Sequence, residues 1–245
     1  MGDFHIFTSI RYDPALLKVK DLGFVNAGWN QEPSPFYMLD FHRDRMLRAA
    51  IYWEWNAAIA YISGEEGLGN LQRFLQSITS ELSNGPQRVM ITLAQDGTLD
   101  SQISSLPETH LNNLFPEYMP RPSPEDAAQV RGDKAPIQDS VYDILLDGDK
   151  KEVLLINDDG HIMEGSISTP YFWRDGKWVT PPIPAQFNAS QGSGGNDGTT
   201  RRWALERGLV TEQVVLADSL VDGEECWISN GLRGFIFGKV KLRQI

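Results

Sequence analysis

The chain has 245 residues, of which 41% are hydrophobic and 22% are charged. This is an ordinary globular composition, and the length suffices for one large domain or two small ones. The formal net charge is −11 and Lys and Arg do not cluster, which argues against a nucleic-acid groove. The single cysteine, Cys226, excludes a disulfide framework, and its place in EECWIS favours a small buried side chain over a nucleophile.

The N-terminal stretch MGDFHIFTSIRYD carries early charges and lacks an apolar signal core. No run of residues approaches the roughly 18 apolar residues that a membrane span requires. We therefore expect a cytoplasmic protein that contacts neither membrane nor nucleic acid, and we expect no metal site.

The first half of the chain predicts strand, helix, helix, strand, strand, which is an α+β pattern. FHIFTSIRY alternates as a strand does, and helical spacing begins near Asp40. LGNLQRFLQSITSEL predicts a second amphipathic helix, and QRVMITLAQDGTLDSQIS predicts a hairpin about Asp96-Gly97.

The polar, proline-rich stretch PRPSPEDAAQVRGDK is typical of a connection between domains. It places an N-terminal α/β domain at 1–118, an interdomain loop at 119–133 and a β-rich domain at 134–245. The second domain is predicted to begin with a short helix, DSVYDILLD, followed by hairpins at Asp159-Gly160 and Asp175-Gly176. A glycine-rich loop then leads into the helix TTRRWALERG, and EECWISN and GFIFGKVKL predict β structure.

Glu164 stands between apolar stretches of a predicted hairpin, where an unpaired buried charge is costly. It could be an exposed hairpin residue, a buried partner of an arginine, or a carboxylate that serves a cofactor. The small residues Gly165 and Ser166 favour close approach of another group to this backbone.

The loop before Thr199 and Thr200 enters a helix whose first turn offers free N–H groups and hydroxyls, a typical phosphate site. The alternative is a surface loop with one of the threonines as helix cap. Lys134 could be a nucleophile or a linker lysine, and Arg45 could clamp a phosphate or be a solvated helix residue.

Taken in order, these motifs resemble those of fold-type IV, class IV aminotransferases, which use pyridoxal phosphate (PLP). The matching segments are FTSIR, HRDRM with Arg45, Glu164-Gly165-Ser166, Thr180-Pro181-Pro182 and Gly198-Thr199-Thr200-Arg201. The resemblance implies an α+β, two-domain fold with an N-terminal α/β sandwich and a C-terminal, PLP-binding, β-rich pseudo-barrel. It also implies a homodimer that acts on a small-molecule amino substrate.

The resemblance assigns roles to individual residues. Lys134, thirty residues before Glu164, would be the catalytic lysine that forms a Schiff base with PLP, and Glu164 would contact the pyridine nitrogen. The phosphate would be held by Arg45, Thr199, Thr200, Asn230 and Gly231.

IRYDP, MEGSI, GTTRRWALERGLV and ISNGLRG resemble the fungal aminodeoxychorismate lyases in particular. Asn230-Gly231 stand where many transaminases have threonines that bind phosphate. The resemblance therefore implies a PLP-dependent lyase that forms 4-aminobenzoate and pyruvate. Two alternatives remain: a class IV aminotransferase for an amino acid or amine, or a catalytically weakened PLP-binding member. The second is suggested by KAPIQDSVY, which replaces the K-T-T-x-R-x-x-Y of related lyases.

Overall fold

A computed structural model of the protein describes residues 4–22, 34–78, 80, 82, 84–123, 140–146, 151–184 and 195–244. The chain divides into two compact units, Met1–Leu111 and Asn112–Ile245. The domain limits expected from the sequence remain a prediction, since residues 124–139, at the expected boundary, lie outside the described ranges. None of the helices in the described ranges is long and apolar enough to cross a membrane.

The first unit combines one antiparallel sheet with helices, in the predicted chain order. Its strands pair in the order β1-β2-β3, and β2 alternates buried and half-buried residues as an amphipathic strand does. The predicted hairpin at Asp96-Gly97 is confirmed, with Gly97 at φ 89°. The elements are β1 (Ile6–Tyr12), a 3₁₀ helix (Pro14–Leu22), α1 (Leu39–Tyr52), α2 (Asn56–Ile62), α3 (Gly64–Ser77), β2 (Gln87–Leu93) and β3 (Leu99–Ser105).

The first helical stretch is divided into two helices after Tyr52. Glu54 adopts the left-handed conformation with φ 55°, and the Trp55 N–H donates to the Ala50 carbonyl at 2.9 Å. This bend turns the chain, so that α2 starts in a new direction and Trp55 joins the core. Helical periodicity alone did not reveal the break, because Glu and Trp both have acceptable helix propensity.

Arg11, in the IRYDP segment, has a structural environment in the first unit. Its side chain is fully buried, and its guanidinium donates to the Asp13 carboxylate at 2.8 and 3.0 Å and to the Pro107 carbonyl at 3.2 Å. A buried guanidinium needs such partners, because an unpaired charge in the interior is costly. The contacts fix the chain directly after β1.

His42 is a buried, neutral histidine on α1. Its Nδ1 lies 2.7 Å from the Thr8 hydroxyl of β1, and 2% of the residue is exposed. Burial, with a smaller contribution from the positive charge of Arg45, lowers the pKa of His42 to about 3. The unfolded chain therefore takes up a proton at this residue at a higher pH than the folded chain does.

We expect acid to destabilise the protein through His42. Because the folded pKa lies below the unfolded value, stability is lost as pH falls from 7, by about 2 kcal/mol at pH 5. Urea unfolding at both pH values measures this loss. His42→Gln should lower stability at pH 7 yet remove most of the pH dependence. His5 is exposed, so His5→Gln should leave the pH dependence unchanged. Equal pH dependence in His42→Gln and the wild type would refute the assignment.

The second unit is built on an eight-stranded sheet in the order β6-β5-β4-β11-β10-β7-β8-β9. All pairs are antiparallel except β8 with β9. The predicted hairpins at Asp159-Gly160 and Asp175-Gly176 and the predicted helix at Thr199 are confirmed. The elements are α4 (Leu111–Leu114), β4 (Ser140–Leu146), β5 (Lys151–Ile156), β6 (Ile162–Gly165), β7 (Thr169–Arg174), β8 (Lys177–Thr180), α5 (Thr199–Glu206), β9 (Thr211–Glu212), a 3₁₀ turn (Ala217–Ser219), β10 (Glu225–Asn230) and β11 (Gly234–Gln244).

The predicted helix over DSVYDILLD is wrong, because its described part, Ser140–Leu146, is the strand β4. The strand pairs over its whole length with the eleven-residue β11, from Ser140 opposite Gln244 to Leu146 opposite Gly238. Ile144 and Leu146, two residues apart, are both buried, which is the strand period. The long partner strand supplies the backbone hydrogen bonds and overrides the local helical signal.

One face of the sheet carries an apolar core that includes Ile144, Phe172, Ile228 and Val240. Cys226 belongs to this core and is fully buried, as the sequence predicted. Burial raises the pKa of its thiol, so the residue is a packed hydrophobic side chain and not a thiolate.

Candidate active site

Glu164 lies near the end of β6, opposite Leu155 of β5. The pairing of these strands shifts register between Leu155 and Ile156, and such a bulge re-aims the side chains beside it. Glu164 is half-buried. The carboxylate is therefore neither solvated freely nor enclosed in the apolar core.

Three causes act on the Glu164 carboxyl. Burial raises its pKa, a hydrogen bond from the backbone N–H of Asn196 lowers it, and the negative charge of Glu152 raises it. The net direction is upward, which means that the ionised carboxylate lacks a full complement of favourable partners. A cation placed beside it would reverse the direction.

The turn after Glu164 is held by Glu152, a buried carboxylate on β5 that sequence reasoning missed. Its Oε1 accepts from the Ser166 hydroxyl at 2.7 Å and from the Ile167 N–H at 3.0 Å. A Cβ on Gly165 would lie 2.9 Å from Glu152 Cγ, so the glycine permits this approach. The sequence held a signal, because Glu152 alternates in phase with the buried Leu154 of KEVLLI.

The loop before α5 runs along Glu164. A Cβ on Gly195 would lie 2.9 Å from the Met163 carbonyl oxygen and 3.9 Å from Glu164 Cβ, so this loop passes close to β6. A Cβ on Gly198 would lie 3.2 Å from the Thr169 hydroxyl at the start of β7. The glycines, at φ 92° for Gly195, bring the start of α5 to the Glu164 turn.

Thr199 and Thr200 begin α5, and both are buried. Gly198 is the N-cap and has no side-chain oxygen with which to cap the first turn. The Thr199 hydroxyl oxygen is buried, and the described structure gives it no hydrogen-bond partner. A buried hydroxyl of this kind beside the positive end of a helix fits an anion such as a phosphate.

Asn230 ends β10 and ties two turns together. Its Oδ1 accepts from the Leu232 and Arg233 N–H groups at 3.0 and 2.9 Å, and its Nδ2 donates to the Ile167 carbonyl at 3.3 Å. The half-buried Gly231 follows in the same turn. The turn after Glu164 is thereby joined to the turn that contains Asn230 and Gly231.

Motif residues around α5 also have structural tasks. The buried Arg201 donates to the Pro181 carbonyl at 2.9 Å and pairs with Glu212. The buried Thr180 hydroxyl donates to the Pro170 carbonyl at 3.0 Å. The Arg201 contacts hold the first turn of α5 against the end of β8 and against β9, and the Thr180 contact joins β8 to β7.

The structure thus brings Glu164, Thr199, Thr200 and Asn230 into one connected region of the second unit, with Gly231 beside Asn230. Arg45 lies half-buried on α1 of the first unit, and its assigned role remains a prediction. Lys134 lies outside the described residues. No group of three or more His, Cys, Asp or Glu suited to a metal ion occurs among the residues that the structure describes.

Residues 146–239 match the sequence model of the family described as amino-transferase class IV. No protein in a curated set of sequences matches the chain. Among solved structures, the chain resembles a Mesorhizobium loti protein assigned as an amino-acid aminotransferase, with 19% identity, a TM-score of 0.55 and coverage of 96% of this chain and 98% of that one.

Two further structures are similar. One, from Haemophilus somnus, is assigned as a 4-amino-4-deoxychorismate lyase and has 14% identity, a TM-score of 0.53 and coverage of 96% of this chain and 99% of that one. The other is the branched-chain amino acid aminotransferase of Escherichia coli, with 14% identity, a TM-score of 0.51 and coverage of 95% and 75%. Similarities at such identities show the fold, and the predicted α+β fold is confirmed.

Proposed function

We propose that the chain is a member of the class IV aminotransferase family, whose sequence model matches residues 146–239, and that it is a PLP-dependent aminodeoxychorismate lyase. The proposed reaction converts 4-amino-4-deoxychorismate to 4-aminobenzoate and pyruvate, which supplies a precursor of folate.

The residues of the second unit fit PLP at both ends of the cofactor. The buried, unpartnered Thr199 hydroxyl and the uncapped first turn of α5 suit its phosphate. Glu164, whose pKa is raised in the protein alone, suits a cationic ring nitrogen. When bound, PLP supplies an electron sink for a carbanion formed at the substrate amine carbon.

The protein's own residues have separate tasks in this proposal. Glu164 keeps a proton on the ring nitrogen by presenting a negative charge to it. The start of α5 fixes the phosphate and so orients the ring. Lys134 anchors the cofactor covalently and then moves the proton that the reaction removes from the substrate.

The observation that favours the lyase is the hydrogen bonding of the Asn230 side chain. Its side chain accepts from two backbone N–H groups and donates to a third residue, Ile167. A threonine, which many transaminases resembling this chain have here, has one short hydroxyl and could not span these partners. The turn after β10 is therefore organised around asparagine, a residue that bacterial lyases share with this chain at this place, as the resemblance implies.

The proposal is tested by supplying aminodeoxychorismate to the purified, PLP-loaded protein. We expect pyruvate and 4-aminobenzoate in equal amounts, the first measured with a coupled dehydrogenase and the second by its fluorescence after chromatography. Amination of a keto acid without either product would refute the lyase and favour a class IV aminotransferase, the function named in the matching family's description.

Lys134 is expected to be the covalent attachment point of PLP. Borohydride treatment should fix a reduced PLP on the peptide that contains Lys134, and the mass increase should vanish in Lys134→Ala. Lys151→Ala, which removes an exposed lysine at the start of β5, is the matched control and should retain the label. PLP held without a label on Lys134 would instead support the catalytically weakened alternative.

We also propose that the protein is a homodimer, as the family resemblance implies. Light scattering of the eluting protein should give twice the chain mass of 27.5 kDa. A mass of one chain at micromolar concentration would contradict this.

A further inference from the structure

Three buried hydroxyl groups meet below the first turn of α5. The Tyr171 hydroxyl lies 2.6 Å from Ser229 Oγ, and Ser229 Oγ donates to Thr200 Oγ1 at 2.7 Å. Tyr171 and Thr200 are fully buried, and 1% of Ser229 is exposed. We call these three residues the hydroxyl triad.

The sheet brings two members of the triad together. Trp227 pairs with Tyr171 and Ser229 pairs with Thr169, so Tyr171 and Ser229 are diagonal neighbours on one face of β7 and β10. The Tyr171 ring packs 5.8 Å from that of Phe235, which in turn lies 5.7 Å from the ring of Trp203 on α5. These aromatic contacts hold α5 over the two hydroxyls.

Two of the three hydroxyl protons of the triad form hydrogen bonds within the triad. Burial has the largest effect on the pKa of Tyr171 and raises it, so the phenol keeps its proton throughout the physiological pH range. Since Ser229 gives its proton to Thr200, Ser229 Oγ is left to accept from Tyr171. Thr200 Oγ1 therefore accepts a hydrogen bond from β10, and this bond ties the first turn of α5 to the sheet.

Thr199, the preceding residue, differs from Thr200 in its hydrogen bonding. Its hydroxyl is equally buried but finds no partner among the described residues. Two adjacent threonines at the start of one helix thus have different tasks. The Thr200 side chain fastens the helix to the sheet, while the Thr199 side chain remains available to a ligand.

We propose that Tyr171 and Ser229 are positioning residues for the cofactor phosphate. They act through the Thr200 hydroxyl, which holds the first turn of α5 so that its N–H groups and the Thr199 hydroxyl converge on the phosphate. The inference rests on the proposed use of PLP and gives a role to two residues to which the family resemblance assigned none.

The test compares a ligand that has the phosphate with one that lacks it. Dissociation constants of PLP and of pyridoxal are measured for the apoprotein by absorbance titration. Tyr171→Phe, Ser229→Ala and Thr200→Val should each weaken PLP binding about tenfold, the effect of losing one buried hydrogen bond. Pyridoxal binding should stay within about twofold, because pyridoxal lacks the phosphate that this turn is proposed to hold.

Two controls separate positioning from general damage. Thr200→Ser keeps the hydroxyl and should bind PLP as the wild type does. Tyr118→Phe removes an exposed phenol and should change neither constant. If the triad were merely structural, its loss would weaken PLP and pyridoxal binding alike. That result, or unchanged PLP binding in all three variants, would overturn the inference and leave the proposed function standing. A wild-type protein that binds no PLP would overturn the proposed function and the inference with it.

Discussion

Glu164→Gln should retain PLP yet turn over substrate about a hundredfold more slowly, the usual cost of removing one preorganised electrostatic partner. Glutamine preserves the shape and the hydrogen bond from Asn196, but it offers no negative charge to a cationic ring nitrogen. PLP content is measured from the absorbance of the alkali-released cofactor, and turnover from pyruvate release. The effect should lie in kcat, because the charge matters most when electron density moves into the ring.

Asp158→Asn is the matched control for this prediction. It removes one negative charge from the exposed turn of the same hairpin. The net charge of the protein therefore changes by the same amount as in Glu164→Gln, but at a greater distance from the site. Its turnover should equal that of the wild type. Undiminished turnover in Glu164→Gln would show that this carboxylate does not partner the cofactor.

Gly234→Ala should destabilise the protein by about 3 kcal/mol or more, through a combination of overpacking and backbone strain. Gly234 begins β11 at φ 68°, and a Cβ there would meet the Asn113 carbonyl oxygen and lie 2.9 Å from both Asn113 C and Leu114 Cα. These are backbone atoms of α4, which cannot rotate away as a flexible side chain could. The clash must therefore displace either α4 or the turn after Asn230.

Gly208→Ala separates the two contributions. Gly208 has nearly the same φ, 67°, but a Cβ on it meets nothing within 4 Å. It should cost only the strain of a left-handed alanine, about 1 kcal/mol. Urea unfolding of both variants gives the comparison, and equal losses would mean that the approach to α4 does not constrain the turn.

Much of the fold could be read from local patterns in the chain. Strand alternation and Asp-Gly turns located the hairpins at Asp96, Asp159 and Asp175, since these signals depend on residues that are adjacent in sequence. The segment Ser140–Leu146 was misassigned as helix. Its strand state depends on β11, almost a hundred residues away, which no local pattern reveals.

The residues of the candidate site were likewise predictable from the sequence only in part. Glu164, Thr199, Thr200 and Asn230 lie in short motifs whose spacing is visible in the chain, and the sequence by itself singled them out. It assigned no role to Tyr171 or Ser229, because their hydrogen bonds join residues 29 and 58 positions apart. For Glu152 it held only a signal of burial, since the partner Ser166 lies 14 positions away.

What the sequence by itself determined is a resemblance to a family, the order of most elements and the residue types available for a PLP site. Only the tertiary structure decided which of these groups already have partners. It gave Thr200 Oγ1 a hydrogen bond from Ser229, left the Thr199 hydroxyl unpartnered in the described structure, and left Glu164 with a raised pKa. The physical reason is that hydrogen bonding and desolvation depend on distances across the sheet, which are set by strand pairing and not by neighbours along the chain.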